Sequence, residues 1–439
     1  MTHRLLKGML AAIALLSVFP KFVVNLGVNI RPHEFLFPPF IAIGFLHFFI
    51  HRPKVPRPLF VFLCFKWGFF SLAVFSASNL ILPSASYSLA QFWKGITSLL
   101  ADTSVLSIAM LLLVTMTAGE RHKILRVLLG AVILSSLYGL VQLVAMLLAG
   151  FDIDAAIAAR LPIFSGIGPG LSRYAVGTFY RFTGLTGDPN VQASFMIALL
   201  SYGFVSWLYS RSWRAAFLLG SVSVMMILTM SNSGIIGLIV SLTVASLLFA
   251  KRIRLEHLLM AGIIMLLLSP LVFTYFDAII HFVGNRTNLD GSIASHLQIA
   301  LQALRMWWQQ TSGCGYNNFS VSFGLMYPES TGMNPHNNFI SVLCELGMPG
   351  LIMLLTTLGY AIAQAFLRRN ASGNYFICWC LGATIAACGY QTLELFYNQL
   401  FLVVVFCIAC SADILFQLPP ERQKAPLPDV DPVNWTGGH

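Results

Sequence analysis

NPHNNFISVLCELGMPG, residues 334–350, sits where a long polar connection gives way to a long apolar run. Pro335 ends the connection, and Asn337 and Asn338 are residue types that favour a helix start. From Phe339 to Phe366 the chain is almost wholly apolar, which is long enough to cross a bilayer. One histidine, His336, and two amides are therefore held where membrane meets water. Glu345 follows His336 by nine residues, about 13 Å further in at the rise of a helix. An ionisable group at that depth is costly and so is a candidate for function.

The same reading extends outward over the whole chain. Of its 439 residues 57% are hydrophobic and only 10% charged, where a soluble domain carries about 25% charged residues. The chain is read as an all-α polytopic membrane protein. Twelve apolar runs are long enough to span: near 8–24, 34–50, 58–79, 99–118, 124–149, 190–209, 215–231, 233–250, 257–276, 338–366, 374–391 and 398–416. The stretch 84–97, SASYSLAQFWKGIT, is short and amphipathic and is expected to lie in the interface. The N-terminus has the basic start and apolar centre of a signal peptide. Lys21 follows at once and no small-residue cleavage site appears, so a first membrane helix is the better reading.

The formal net charge of +10 raises the question of nucleic acid, but the positions of the charges answer it. Basic residues fall in every second connection: Arg4 and Lys7, Arg52 to Arg57, Arg121 to Arg126, Arg211 and Arg214, Lys251 to Arg254, Arg368 and Arg369, Arg422 and Lys424. That alternation follows the positive-inside rule and places both termini in the cytoplasm. Residues 1–418 form one transmembrane domain, and the Pro-rich polar tail 419–439 is expected to be disordered. Seven of the eight cysteines lie in apolar runs and only Cys314 in a loop, which gives neither a disulfide framework nor zinc spacing.

The opposite side carries two long connections, 150–190 and 277–335, and connections of that length are usually functional. The second contains an amphipathic helical pattern from Ser292 to Gln310, with Ser292 as its cap. At least one helix is expected to lie over the outer mouth of the bundle. The first ends in SRYAVGTFYRFTGLTGDPN, residues 172–190, whose Arg173 and Arg181 run against the charge bias. Arginine forks match phosphate oxygens, and Asp188-Pro189-Asn190 starts the next helix. The second connection carries Arg286, His296 and Arg305, then a glycine turn, GCGYNNF, at 313–319. Each has a plainer reading: solvated arginines, a structural histidine, and for Arg305 a surface helix anchored at the interface by Trp307 and Trp308.

HNNFISVLCELGMPG resembles the signature of the O-antigen ligase and O-antigen polymerase superfamily, in which a His-Asn pair precedes Gly-x-x-Gly. Here His336-Asn337 precedes Gly347-Met348-Pro349-Gly350. YRFTGLTGDPN resembles the family's upstream Arg-x-x-Gly…Pro-Asn segment, and GCGYNNF its Gly-x-Gly…Phe turn. One position departs: the family usually has arginine where MSNSGIIG has Asn232. The resemblance implies a GT-C-like fold with a large helical periplasmic loop between spans 9 and 10. It implies an inverting glycosyl transfer from a glycan on undecaprenyl pyrophosphate, at the periplasmic face of a bacterial inner membrane, without metal or cofactor. His336 would deprotonate the acceptor hydroxyl, and Arg181 would hold the departing pyrophosphate. Arg173, Arg286, Arg305, Asn190, Asn232, Asn337 and Glu345 would line the substrate site. The carboxylates Asp277, Asp290 and Glu329 read as scattered, in keeping with a metal-free reaction.

Two transferase readings follow, differing in the acceptor. A polysaccharide polymerase extends a lipid-linked glycan, with a chain-length regulator among its partners. An O-antigen ligase moves the glycan to lipid A-core. Asn232 in place of arginine tips the choice toward polymerase. A transporter or lipid flippase would instead require two related halves and charges buried mid-membrane. No internal repeat appears, and Lys66, inside the third run, reads as snorkelling.

Overall fold

The computed structural model describes residues 2–19, 24–25, 29–80, 85–160, 175–176, 179–210, 213–229, 231–248, 290–330 and 337–368. The expected ninth, eleventh and twelfth spans, the tail, His336, Arg173, Arg286 and Asp277 lie outside these residues.

Twelve helices account for nearly all of the described structure: α1 Thr2–Leu16, α2 Phe37–His51, α3 Arg57–Phe75, α4 Ala85–Thr115, α5 Ala118–Ala149, α6 Ile153–Arg160, α7 Pro189–Ser210, α8 Trp213–Leu228, α9 Asn232–Leu248, α10 Asp290–Gln309, α11 Phe319–Met326 and α12 Asn338–Arg368. The only strands among the described residues are two two-residue antiparallel pairs, Val24–Asn25 with Asn29–Ile30 and Ala175–Val176 with Phe179–Tyr180. Five segments are long and apolar enough to cross a membrane: Glu34–His51, Arg57–Asn79, Ser88–Thr115, Gly119–Ala149 and Asn338–Leu367. Shorter apolar helices cover Ala216–Leu228 and Gly234–Leu248.

Hydrocarbon solvent gives apolar side chains little reason to leave it, so close backbone approach and buried hydrogen bonds hold such helices together. A Cβ on Gly44 of α2 would stand 2.5 Å from the Ile108 side chain of α4, and one on Gly234 of α9 2.5 Å from the Ala193 Cβ of α7. The Ser201 and Ser241 hydroxyls bond between α7 and α9 at 2.6 Å. The ends of α1, α2 and α5 that carry basic residues come together. Lys7 pairs with Glu120 at 2.6 Å, and the His3 ring lies 5.4 Å from that of His47. The main core joins α1 to α5 with α7 and α8 through Leu10, Phe40, Phe62, Leu112, Val132, Met196 and Met226. A second cluster brings α3 and α4 to α12 through Phe69, Ala73, Phe92, Ile96, Val342 and Leu346.

Several expectations change. The stretch 84–97 is not a separate interfacial helix. It is the start of the 31-residue α4, because Ser88, Phe92 and Ile96 continue the buried stripe of that helix at its own spacing. Gly95 also lets Asn317 dock closely against it. The first helix ends at Leu16, well short of residue 24. Ser292 is inside α10, which begins at Asp290, so it does not cap it. The run from 338 is not one continuous helix: Gly347, at φ 66° and ψ −167°, breaks it. Glu345 therefore stands beside a break instead of midway along a rod.

Candidate functional site

The break in α12 and the glycine turn before it are built for each other. Interrupting a helix inside the bilayer strands carbonyls that hydrocarbon cannot satisfy. Here the turn supplies the donors. The Cys314 amide bonds the Cys344 carbonyl at 2.9 Å and the Gly315 amide bonds the Glu345 carbonyl at 3.0 Å. The contact is too close for side chains. A Cβ on Gly313 would strike the Glu345 carbonyl, and one on Gly347 would stand 2.6 Å from the Thr311 carbonyl. Gly313 and Gly315 have φ of 88° and 94°, a region glycine enters without penalty. Pro349 falls in the first turn of the lower helix, where its missing N–H costs nothing. The Gly-x-Gly and Gly-x-x-Gly motifs are thus two halves of one joint.

Side chains extend the joint to α3 and α4. The Tyr316 amide donates to Ser76 Oγ at 2.9 Å, Asn79 Nδ2 to the Ser312 carbonyl at 2.9 Å, and Asn317 Nδ2 to the Gln91 carbonyl at 2.8 Å. Half-buried Glu345 accepts the Phe319 amide at 3.3 Å, at the start of α11, and also the Asn317 amide. Its carboxylate serves the N-terminus of a helix, which favours negative charge. Burial raises the Cys314 thiol to about 12, with the Glu345 charge adding to it. Burial also raises the Tyr316 phenol, again with help from Glu345 and then Asp102. Above the joint, Asn337 Oδ1 accepts the amides of Phe339 at 3.0 Å and Ile340 at 3.1 Å. It caps α12 as its position in the sequence indicates.

Arg181 belongs to a second corner. Its Nε donates to the Thr229 carbonyl at 3.1 Å and its Nη2 to Asn190 Oδ1 at 3.2 Å. The next residue, Phe182, bonds the Leu228 carbonyl through its amide at 3.0 Å. The outer segment thus closes the C-terminal end of α8, whose carbonyls attract cations. Asp188 caps α7 by accepting the Asn190 amide at 2.7 Å and the Val191 amide at 3.2 Å. The turn at Gly184–Thr186 is seated by Ser135 Oγ, which takes the Leu185 amide at 2.9 Å and donates to Gln192 Oε1 at 2.7 Å. Arg181 and Asn190 therefore meet directly. Asn232 opens α9 three residues beyond the carbonyl that Arg181 holds. Arg305 is exposed on α10, away from the face that packs on α12.

Asp152 and Asp154 form an Asp-x-Asp pair at the start of α6, in addition to the carboxylates named above. Asp152 Oδ1 accepts the amides of Asp154 at 3.0 Å and Ala155 at 3.1 Å. Buried Asp154 accepts the Tyr138 hydroxyl at 2.7 Å and the Gln142 amide group. Asp152 thus caps α6, and Asp154 ties it to α5. No three His, Cys, Asp or Glu side chains among the described residues gather in a way that could hold a metal ion.

Residues 215–355 match the family described as O-antigen ligase. The match contains both halves of the glycine joint and supports the O-antigen ligase and polymerase superfamily. No curated protein matches the chain.

Proposed function

We propose that this protein is an inverting, metal-independent glycosyltransferase acting on glycans carried by undecaprenyl pyrophosphate at the periplasmic face of the bacterial inner membrane. The observation that carries the reading is the glycine joint. Inside the residues that match the O-antigen ligase family, it fixes the top of α12 and so the start of the helix that follows His336. His336 acts as the base that takes the proton of the acceptor hydroxyl. Arg181, oriented by Asn190 and the Thr229 carbonyl, neutralises the leaving pyrophosphate together with Arg173 and Arg286. Asn232 and Asn337 stand at helix starts whose amides favour anionic oxygen.

The acceptor is a second lipid-linked glycan, which makes the enzyme a polysaccharide polymerase that works with a chain-length regulator. Asn232, where the superfamily usually carries arginine, favours this choice. The second reading, within the same family match, is an O-antigen ligase whose acceptor is lipid A-core. Deletion of the gene separates them: single repeat units on the lipid carrier accumulate for a polymerase, and long lipid-linked chains for a ligase. The chemistry is tested with His336→Ala in membranes. Normal insertion with transfer reduced at least about 100-fold is expected from loss of a general base, and full turnover would end the transferase reading.

A further inference from the structure

Helix α10 presents three faces instead of two. At about 100° per residue, Ile299, Ala303 and Met306 share one side, and all three are buried against Phe319, Phe323 and Cys344. Leu301, Leu304 and Trp308 stand roughly opposite, and are 49%, 36% and 75% exposed. Gln298, Arg305 and Gln309, all exposed, occupy a third stripe between these two. A helix that only roofs an aqueous site would be polar on its outward side. This one is apolar there, and its polar side chains are gathered to one flank.

Its height follows from α12. Cys344 donates through Sγ to the Ala303 carbonyl at 3.2 Å, which fixes the middle of α10 six residues below the start of α12. That is about 9 Å down the helix. Asn338–Leu367 is among the segments long and apolar enough to cross a membrane, and its break at Gly347 lies just below Cys344. Ala303 is thus tied to that segment between its start and its break, near one membrane end of the span.

We propose that α10 lies in the outer leaflet of the membrane, with Leu301, Leu304 and Trp308 among the acyl chains of bilayer lipids and Arg305 on their phosphates. The arrangement has the parts of an in-plane helix: an apolar face, a polar flank and a tryptophan at the interface. Arg305 borders the apolar stripe, where a guanidinium buries its stem and meets anionic oxygen. The phosphate is that of bulk lipid and not of a glycan donor.

The test places the photo-crosslinking residue p-benzoylphenylalanine in the full chain, in nanodiscs of equal parts phosphatidylglycerol and phosphatidylethanolamine. It replaces Leu301, Leu304 or Trp308 in turn, then Gln298 or Gln309, and as a reference Ile239, which is 58% exposed on the apolar α9. After illumination, intact mass is expected to show phospholipid adducts at 301, 304 and 308 as abundant as at 239, with few at 298 and 309. Adducts at 308 are expected to favour phosphatidylglycerol, and Arg305→Gln to return them to the bulk ratio. A crosslinked dimer, a link within the chain, or no lipid adduct while Ile239 gives one would overturn the assignment of this face. Adducts at 308 already at the bulk ratio with Arg305 present would overturn the phosphate contact.

Discussion

Two connecting segments close helix ends in this protein, and they do it with different chemistry. At the α12 break the carbonyls of Cys344 and Glu345 are taken by main-chain amides of the 313–315 turn. At the end of α8 the Leu228 carbonyl is again taken by an amide, but the Thr229 carbonyl is held by the Arg181 side chain. A lock made only of backbone requires that nothing protrude on either side. A lock made with a guanidinium brings a positive charge to the helix end, and here its Nη2 carries the contact on to Asn190. The first kind fixes geometry, and the second can fix geometry and present charge at once.

The largest effect expected from breaking this comparison is at Gly347. Its backbone lies in a region only glycine populates, so Gly347→Ala costs of order 1–3 kcal/mol for the dihedrals alone, and its methyl group meets the Thr311 carbonyl. Thermal unfolding in nanodiscs is expected to shift down sharply, with loss of activity, and an unchanged midpoint would show that the joint is not rigid. Arg181→Lys comes next and separates the two locks. The ammonium can still reach a carbonyl but cannot serve as a fork, so folding is expected to survive while transfer falls by about 100-fold, in line with loss of one donor to a developing anion. Turnover at the parent rate would make Arg181 a structural tie alone. The smallest effect is at Asn337, where removing the cap costs about 1 kcal/mol. Asn337→Asp keeps the cap and Asn337→Ala does not. A melting point that falls for Ala alone assigns the residue to capping, and activity lost in both assigns it to the site.

Much of this was legible from residues alone. The apolar runs gave helices at nearly the right places, since α2, α3, α5, α7, α8 and α9 begin within a few residues of the expected spans. The capping roles of Asp188 and Asn337 followed from residue type and position. The α12 break did not, because a run of apolar residues looks the same whether or not it is interrupted. Only the pairing of two distant glycine motifs reveals the interruption, and each motif alone permits ordinary turns. Asp152 and Asp154 stand as Asp-x-Asp in the sequence, but that Asp154 is occupied by Tyr138 and Gln142 shows only once α6 packs on α5. The position of His336 relative to Arg181 lies beyond the described residues.

Because Gly347 interrupts α12, residues 338–346 are fastened to the 313–315 turn by two main-chain hydrogen bonds. In the sequence they open a span, yet in the structure they are also held by α10 and by the start of α11. The two glycine motifs can therefore change only together, since a side chain on Gly313 or Gly347 would strike the backbone of the facing segment.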